Sequence, residues 1–334
     1  MTARLPVALA GLGRMGRIHA ANLARGSAVR LAAVHDADPE VARSVGEELD
    51  VPWVATFDDL IDAAPAVAIS TPTGTHAELI VAAAEAGKHV FCEKPISLDR
   101  ATAVAAVEAA EKAGVVLQVG FHRRFDPDWV VAAERIHAGE LGEVTLFRTT
   151  LRDMNPPNPA FLAHSGGFFA DVTVHDLDVA RWLVGEVVEV TAHGAASDPA
   201  FAEIGDIDTA VVVLRFANGA LGVIDNSRSA RYGYECSTEV MGTLATARVD
   251  GAHRHNYEWR TPGWASRDLL SNFGERHRLA YIAELEAFAH SVGSGEPAKV
   301  DGRAALAAFD LAAAAERSYR TGLPVTVDGR NGLS

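Results

Sequence analysis

Short apolar runs alternate with alanine-rich helical stretches over the first 120 residues of the chain. Helix-like segments follow the first run to about Arg25 and cover Thr75–Ala86 and Asp99–Ala113. The alternation predicts a parallel, doubly wound sheet, in which ligands bind at the carboxyl ends of the strands. The runs that predict its strands are Leu5–Ala10, Arg30–His35, Val67–Ser70, His89–Cys92 and Val115–Val119.

The pattern changes beyond about Gly120, where longer runs alternate polar and apolar residues and turn residues such as Asn218-Gly219 separate them. Helical periodicity over Glu275–Ser291 and Arg303–Arg320 ends the chain. We therefore predict an α/β protein with a Rossmann dinucleotide-binding domain over residues 1–120 and an α+β domain over residues 121–334. The strands predicted for the second domain are Glu143–Arg152, Val187–Gly194, Asp208–Phe216, Ala220–Ser229 and Glu235–Met241.

Composition excludes several classes of protein. The 334 residues carry 30 basic and 44 acidic side chains, a net charge of −14, which argues against binding to nucleic acid or anionic membranes. The two cysteines, Cys92 and Cys236, have no metal-binding spacing and are expected to be reduced in the cytoplasm. The apolar start of the chain runs straight into a glycine motif, so we interpret it as a strand and not as a signal peptide. No apolar run reaches the roughly 20 residues of a membrane span.

The first predicted strand ends in the glycine motif Gly11-Leu12-Gly13-Arg14-Met15-Gly16. Glycines at these positions permit a tight turn, close approach of the main chain to a pyrophosphate, and close packing of helix on strand. The next strand ends in Asp36, 20 residues beyond Gly16, where a carboxylate accepts hydrogen bonds from ribose hydroxyls and repels a 2′-phosphate. This favours NAD over NADP. The alternative for Asp36 is a helix cap before Asp38-Pro39.

Polar residues follow the later strands of the first domain. Glu93-Lys94-Pro95 follows the fourth strand, and its lysine can project an ammonium group into the cofactor crevice to stabilise a forming alkoxide. The alternative for Lys94 is an ordinary solvated charge. The residues that we predict to bind the cofactor are Gly11, Gly13, Arg14, Met15, Gly16, Asp36, Ser70, Thr71, Pro72, Thr75, His76, Glu93 and Lys94.

In the second domain, Gly166-Gly167 precedes Asp171, His175 and Asp178, which are spaced i, i+4 and i+7. A regular helix places the three side chains on one face, where a carboxylate one turn before a histidine orients the imidazole for general base catalysis. The alternative is a helix start with acidic residues near its positive end and a core histidine. We reject a metal site here because the spacing provides no second histidine.

Together, Gly11–Gly16, Glu93-Lys94-Pro95 and Gly166–Asp178 resemble the Gfo/Idh/MocA oxidoreductase family in order and separation. The resemblance covers nearly the whole chain and is closest to the family's inositol 2-dehydrogenases. The segments that carry this closer resemblance are Gly120–Pro127, Arg152-Asp153 with Pro156-Pro157, Asp225–Arg228, Tyr232–Tyr234 and Tyr281–Leu285.

The resemblance implies an open, mostly antiparallel sheet in the second domain, a last helix that packs across both domains, and a homodimer or homotetramer. It implies that His175 is the base, that Asp171 orients it, and that Lys94 holds the reacting hydroxyl. Lys94 could instead be the immediate proton acceptor, with His175 as a relay.

The implied reaction is the NAD-dependent oxidation of a polyol secondary alcohol, with myo-inositol as the expected substrate. Alternatives are a scyllo-inositol or sugar dehydrogenase, a keto-sugar reductase, and an NAD-sensing regulator without turnover. His122 departs from the apolar or amide residue expected at its position, which leaves the polyol open. The predicted substrate-binding residues are Lys94, Arg124, Asp153, Asn155, Asp171, His175, Tyr234 and Tyr281, with no metal.

Overall fold

The computed structural model describes residues 4–157, 162 and 164–327. Contacts along the chain divide it into two compact units. The first comprises Met1–Asp126 and Leu279–Leu306, and the second comprises Pro127–Arg278 and Ala307–Ser334. Residues 279–306 therefore return to the first unit after the chain has formed most of the second. None of the described helices is long and apolar enough to cross a membrane.

The first unit contains a five-stranded parallel sheet, which confirms the predicted doubly wound architecture. Its strand order is β2-β1-β3-β4-β5. The strands are β1 (Leu5–Ala10), β2 (Val29–His35), β3 (Ala66–Ile69), β4 (His89–Cys92) and β5 (Leu117–Val119). The helices between them are α1 (Arg14–Arg25), α2 (Pro39–Leu49), α3 (Phe57–Asp62), α4 (Thr73–Glu85) and α5 (Arg100–Ala113), and a 3-10 turn follows at His122–Phe125.

The strands β1 and β3 of this sheet are apolar because both faces of the sheet are covered there. Every residue of β3 is fully buried, and so are the last four residues of β1. Parallel sheets flanked by helices have this continuous apolar pattern, whereas half-exposed strands alternate. Side-chain caps start two of the covering helices, since Asp38 accepts a hydrogen bond from the Glu40 N–H and Asp99 accepts one from the Thr102 N–H.

The second unit contains a seven-stranded sheet of order β11-β10-β6-β9-β8-β7-β14. Only the β6–β9 pair is parallel, so the sheet is mostly antiparallel as predicted. Its strands are β6 (Val144–Arg152), β7 (Val187–Ala195), β8 (Thr209–Phe216), β9 (Leu221–Ser227), β10 (Glu235–Gly242), β11 (Thr246–Val249) and β14 (Val325–Thr326), and β12 (Trp259–Thr261) pairs with β13 (Trp264–Ser266) apart from them. The helices are α6 (Pro127–His137), α7 (Val174–Val184), α8 (Pro199–Glu203) and α9 (Phe273–Arg276).

Two further helices, α10 (Arg278–Ser294) and α11 (Gly302–Thr321), complete the described chain. The single helix predicted over Glu275–Ser291 is wrong, because α9 ends at Arg276 and α10 begins at Arg278. Between them, His277 is fully buried, and its Nε2 lies 3.3 Å from the hydroxyl of Tyr234 in the second unit. The break lies next to the point where the chain returns to the first unit.

Candidate active site

The glycine turn after β1 has almost no space for side chains. Gly11 has a positive φ of 86°, and a Cβ there would lie 2.6 Å from the Ser70 main chain. A Cβ on Gly16 would lie 1.9 Å from the Gly11 carbonyl oxygen. Gly13 differs, since nothing lies within 4 Å of its Cβ position. The two outer glycines therefore pack the turn, whereas the middle glycine keeps a space open at the start of α1.

Asp36 connects the end of β2 to this turn. Its carboxylate accepts hydrogen bonds from the main-chain N–H groups of Leu12, at 2.7 Å, and Asp38, at 3.0 Å. The cap of α2 is Asp38, so the capping alternative for Asp36 is wrong. A carboxylate has about four acceptor sites, so two remain for ribose hydroxyls.

The loop after β3 begins α4 and contains most of the other predicted cofactor residues. The hydroxyls of Thr71 and Thr75 lie 2.7 Å apart, and the Thr75 hydroxyl also donates to the Pro72 carbonyl at 2.9 Å. His76 is buried, with Nε2 2.8 Å from the Thr71 carbonyl oxygen and Nδ1 2.8 Å from that of Pro95. His76 thus joins the loop after β3 to the loop after β4. Burial lowers the pKa of His76, although these carbonyl contacts act in the opposite direction.

Glu93 and Lys94 follow β4 at the same carboxyl edge of the sheet. The Glu93 N–H donates to the Ile69 carbonyl at 2.9 Å, and its carboxylate lies 2.7 Å from His19 Nε2 on α1. Lys94 itself is partly exposed, and the Lys94–Pro95 peptide bond is cis. The predicted cofactor residues of β1, β2, β3 and β4 are therefore all at strand ends of one sheet edge, with Arg14 and Met15 in the first turn of α1.

The end of β5 leads into the turn that contains Arg124. Its neighbour His122 is buried, and the ring centroid of His122 lies 4.8 Å from that of Tyr281 on α10. Tyr281 is 3% exposed, and burial is the main reason that its pKa is raised well above the ordinary value, so the phenol stays protonated. His122, which differs from the residue type expected at its position, thus packs against Tyr281, a predicted substrate-binding residue.

In the second unit, Asp171 is held by a buried guanidinium group. Arg228 is 1% exposed and lies 2.5 Å from an oxygen of Asp171 and 3.2 Å from an oxygen of Asp206. The same guanidinium group is stacked over the Phe168 ring, with its central carbon 5.3 Å from the ring centroid. One cation therefore fixes two carboxylates, and Asp171 is oriented and charge-compensated by Arg228.

The segment that contains Asp171 is wider than a regular helix. Phe169–Thr173 is a π-helix, and α7 continues it from Val174. Phe168 and Phe169 are consecutive and both buried, which the wider turn accommodates. The prediction of a regular helical face for Asp171, His175 and Asp178 is therefore wrong in detail. Asp178 is 1% exposed, whereas Asp171 and His175 are partly exposed.

A buried hydrogen-bond network lies under His175. The carboxylate of Asp176, which is fully buried, accepts hydrogen bonds from the Thr149 hydroxyl at 2.9 Å and from the Asn226 amide at 2.8 Å. Thr149 is on β6 and Asn226 is on β9, the parallel pair at the centre of the sheet. The network therefore attaches the first turn of α7 to the sheet and fixes the main chain next to His175.

The remaining predicted substrate residues of this unit are more dispersed. Asp153 follows β6, where its N–H donates to the Ser227 carbonyl at 2.8 Å. Tyr234 precedes β10 and is 5% exposed, with its hydroxyl near His277, whereas Asn155 is exposed in the loop after β6.

Sequence reasoning missed the residues that hold the predicted ones. Arg228 and Asn226 were part of a recognised motif without an assigned role, and Asp176 directly follows His175, which was assigned one. Asp206 had no local signal. The cluster of His19, Glu93 and Glu284 in the first unit was also missed, because its members lie far apart in the chain.

The residues around the glycine turn fit a dinucleotide. The start of α1 offers main-chain N–H groups and the positive end of a helix dipole to phosphates, and the open space at Gly13 permits their close approach. Asp36 has acceptor capacity for a ribose. In the second unit, His175 lies one turn after the anchored Asp171 in sequence, and an imidazole can accept a proton from a hydroxyl group.

The glycine turn generates a paired prediction. Gly13→Ala should leave the free energy of unfolding nearly unchanged, since its φ is −67° and its Cβ position is open. It should weaken NAD binding about tenfold or more, roughly 1.4 kcal/mol, because the methyl group fills the phosphate approach. Gly16→Ala should instead lower the free energy of unfolding by about 1–3 kcal/mol. Urea denaturation measures the free energy of unfolding, and calorimetric titration measures NAD binding. Equal effects of the two variants on stability would contradict the different roles of Gly13 and Gly16.

The network under His175 generates a second prediction. Asp176→Asn replaces one acceptor by a donor opposite Thr149 or Asn226, so the free energy of unfolding should fall by about 1–3 kcal/mol. Glu203→Gln makes the same charge change at an exposed position of α8 and should have almost no effect. Chemical denaturation of both variants is the measurement. Equal stability of Asp176→Asn and the parent protein would show that the network does not anchor α7.

Two family models match the chain. Residues 5–121 match the oxidoreductase family with an NAD-binding Rossmann fold, and residues 129–248 match the GFO/IDH/MocA C-terminal domain. These matches confirm the predicted family resemblance, the Rossmann fold and its NAD-binding character.

The relatives are similar over almost their whole length. The chain is 41% identical to myo-inositol 2-dehydrogenase of Thermotoga maritima, over 93% of this chain and 95% of the relative. It is 37% identical to scyllo-inositol 2-dehydrogenase (NAD(+)) of Bacillus subtilis, over 96% of each chain. A crystal structure of scyllo-inositol dehydrogenase from Lactobacillus casei with bound NAD(H) and scyllo-inositol has a TM-score of 0.89 and 29% identity, covering 97% of this chain and 99% of that one. The chain therefore belongs to the Gfo/Idh/MocA family of oxidoreductases.

Proposed function

We propose that this protein oxidises a secondary hydroxyl group of an inositol with NAD, converting myo-inositol to 2-keto-myo-inositol. The observation that carries the proposal is the pair of Asp171 and His175 in one segment, with Asp171 anchored by Arg228. The full-length similarity to two inositol dehydrogenases supports the substrate class. A small polyol also agrees with the net charge of −14, which gives no general attraction for anionic substrates.

We assign Lys94, His175 and Asp171 separate roles in the removal of the hydroxyl proton. NAD, when bound, accepts the hydride from the carbinol carbon. Lys94 holds the reacting hydroxyl and stabilises the negative charge that develops on its oxygen. His175 accepts the hydroxyl proton on an imidazole nitrogen, and Asp171 stabilises the resulting imidazolium. In the other order, Lys94 accepts the proton first and passes it to His175.

We further propose that NAD is held by the residues at the carboxyl edge of the parallel sheet. Gly13 admits the pyrophosphate beside Gly11, Gly16, Arg14 and Met15. Asp36 binds the adenosine ribose, and its negative charge disfavours NADP. Ser70, Thr71, Pro72, Thr75, His76 and Glu93 complete the cofactor side, through the hydrogen bonds that connect the loops after β3 and β4.

A polyol presents a hydroxyl group on every ring carbon, so its recognition needs many hydrogen bonds. We assign this to the side chains of Arg124, Asp153, Asn155, Tyr234 and Tyr281, in addition to Lys94, Asp171 and His175. The raised pKa of Tyr281 keeps its hydroxyl as a neutral donor or acceptor, which suits an uncharged substrate.

The test of the proposed function is a substrate screen. Purified protein with NAD should increase the absorbance of reduced nicotinamide when myo-inositol is added, and NADP should support a lower rate. Parallel assays contain scyllo-inositol, other inositol isomers and common aldoses. Activity with aldoses alone would overturn the inositol assignment, and NAD binding without turnover of any of these compounds would favour an NAD sensor.

Removal of the proposed proton-handling groups should abolish most of the activity. Lys94→Ala and His175→Ala should each lower kcat/KM about 10²–10⁴-fold, because general acid–base groups contribute factors of this size. Lys112→Ala in α5 and His290→Ala in α10 change the same residue types at exposed positions and should retain activity. Circular dichroism checks the fold of each variant. Full activity in either Lys94→Ala or His175→Ala would contradict the mechanism.

We propose that the protein acts in the cytoplasm. Both cysteines, Cys92 and Cys236, are buried free thiols, and burial raises the pKa of the Cys92 thiol well above its ordinary value. Protonated, buried thiols are unreactive and suit a reducing compartment.

We also propose that the protein is a homo-oligomer, because the seven-stranded sheet has one face with exposed apolar side chains. Val211, Val213, Leu221 and Met241 are each 40–50% exposed, and the strand register places them on the same face. Ion pairs such as Arg215–Glu189 and Arg248–Glu239 lie on the neighbouring strands. An apolar centre with a polar rim is typical of an interface between copies of a chain.

The proposed interface predicts the effect of a single charge. Val213→Asp should shift the protein toward monomers, because a carboxylate at the centre of an apolar interface is costly to desolvate. Val131→Asp makes the same change at an exposed position of α6 and should leave the assembly intact. Size-exclusion chromatography with light scattering measures the mass. A monomeric parent protein, or an unchanged mass for Val213→Asp, would contradict the proposed interface.

A further inference from the structure

Three titratable side chains meet inside the first unit. His19 comes from α1, Glu93 follows β4, and Glu284 comes from α10. Their side-chain nitrogen and oxygen atoms lie within 4.8 Å of one another. His19 and Glu284 are fully buried, and Glu93 is 9% exposed. We call these three residues the buried acid cluster.

Charges in the buried acid cluster do not balance if every group has its ordinary protonation state. His19 Nε2 lies 2.7 Å from Glu93 Oε1, so the imidazole is hydrogen-bonded to Glu93 and not to Glu284. Within the described part of the chain, neither carboxylate oxygen of Glu284 has a hydrogen-bond partner. Two buried carboxylates this close repel each other, since the low dielectric of the interior strengthens the interaction.

Within the described residues, no hydrogen bond to the Glu284 carboxylate relieves this repulsion. Burial, and then the charge of Glu93, raise the pKa of Glu284 well above its ordinary value. Tyr281, one turn earlier on α10, is itself a weak acid, and Arg14 and Arg123 act on Tyr281. The Gln118 amide donates to the Glu284 main-chain carbonyl at 2.7 Å and not to its carboxylate.

Glu93 is tightly placed on its other side. A Cβ on Gly120 would lie 3.2 Å from Glu93 Oε2, and the Glu93 N–H is bound to the Ile69 carbonyl. The Glu93 side chain therefore cannot relieve repulsion from a charged Glu284 by moving toward Gly120, so its main chain would have to shift. Because Lys94 follows Glu93 directly, a displacement of Glu93 would be transmitted through one peptide bond to the proposed alkoxide-binding lysine.

We propose that Glu284 is a neutral carboxylic acid in the working enzyme and is a positioning residue that keeps Glu93, and through it Lys94, in place. The inference rests on the proposed function of Lys94. Ionisation of Glu284 at alkaline pH displaces Glu93 and lowers kcat. A cation bound among the same three side chains is the competing explanation, and the direct 2.7 Å contact between His19 and Glu93 favours protons.

The first test uses stability and needs no substrate. The folded protein retains a proton on Glu284 that the unfolded chain releases above pH of about 4.3, so this group's contribution to stability declines as pH rises toward the folded-state pKa. Glu284→Gln is neutral at every pH and lacks this decline. The melting temperature of Glu284→Gln relative to the parent should therefore increase between pH 5 and pH 8. Glu85→Gln, an exposed change on α4, should show no such trend. A pH-independent difference for Glu284→Gln would overturn the proposal.

The second test measures protonation and activity. Infrared spectroscopy at neutral pH should show a protonated carboxylic acid in the parent that is absent from Glu284→Gln. With NAD and myo-inositol, Glu284→Gln should keep kcat within about threefold of the parent at neutral pH and lose the fall in kcat at alkaline pH. A kcat at least tenfold lower in Glu284→Gln, restored in Glu284→Asp, would show that an ionised carboxylate is required.

Elemental analysis of the purified protein tests the competing explanation that a cation is bound among the three side chains. One equivalent of a divalent metal, with loss of thermal stability on chelation, would overturn the proposal. The stability and infrared measurements separate this inference from the proposed function, because a parent protein without inositol activity could still show both signals of a protonated Glu284.

Discussion

The close packing of the glycine turn against the loop after β3 is the constraint on which the first unit depends. Gly11 and Gly16 have no space for a Cβ, since the Ser70 main chain and the Gly11 carbonyl occupy it. This contact brings the start of α1 to the carboxyl edge of the sheet, where Asp36 is bound to the Leu12 N–H. It also directs His19, in the second turn of α1, toward Glu93. The positions of the proposed cofactor groups and of the buried acid cluster thus depend on the absence of a side chain at Gly11 and at Gly16.

Buried charges have an equivalent role in the second unit. Arg228 compensates Asp171 and Asp206 from a position that is almost fully buried, and Asp176 is satisfied by Thr149 and Asn226 from the central strands. Buried hydrogen-bonded carboxylates favour one arrangement, because another would leave them unpaired. Lys94, Asp171 and His175, which we propose touch the substrate, are partly exposed, and their neighbours include buried groups that hold them. We interpret this as preorganisation for proton transfer.

Periodicity predicted the first unit well because its strands are short, mostly buried and separated by helices. The prediction for β4 matched its observed bounds, and that for β2 differed at its start by one residue. The break at His277 was not predictable, since the local pattern from Glu275 onward is helical. The π-helix before α7 was missed because the local pattern does not distinguish it from a regular helix.

A functional role could be predicted where a residue type has few common roles at its position, as for the glycines, Asp36 and Lys94. The side chains that hold the predicted site residues could not be predicted. Asp171 and Arg228 are 57 positions apart, and Glu93 and Glu284 are farther apart still, so only the folded chain shows the pairs. The roles of Lys94, Asp171 and His175 came from the family resemblance and remain proposals.

The central claim is that hydride passes from an inositol carbon to NAD. The most direct measurement uses myo-inositol with deuterium on its ring carbons and follows the isotope into the reduced cofactor by mass spectrometry. The account predicts one deuterium in each reduced nicotinamide, with a slower rate than for the unlabelled substrate when chemistry limits turnover. Reduced cofactor without deuterium, or no reduction by myo-inositol or scyllo-inositol, would contradict it.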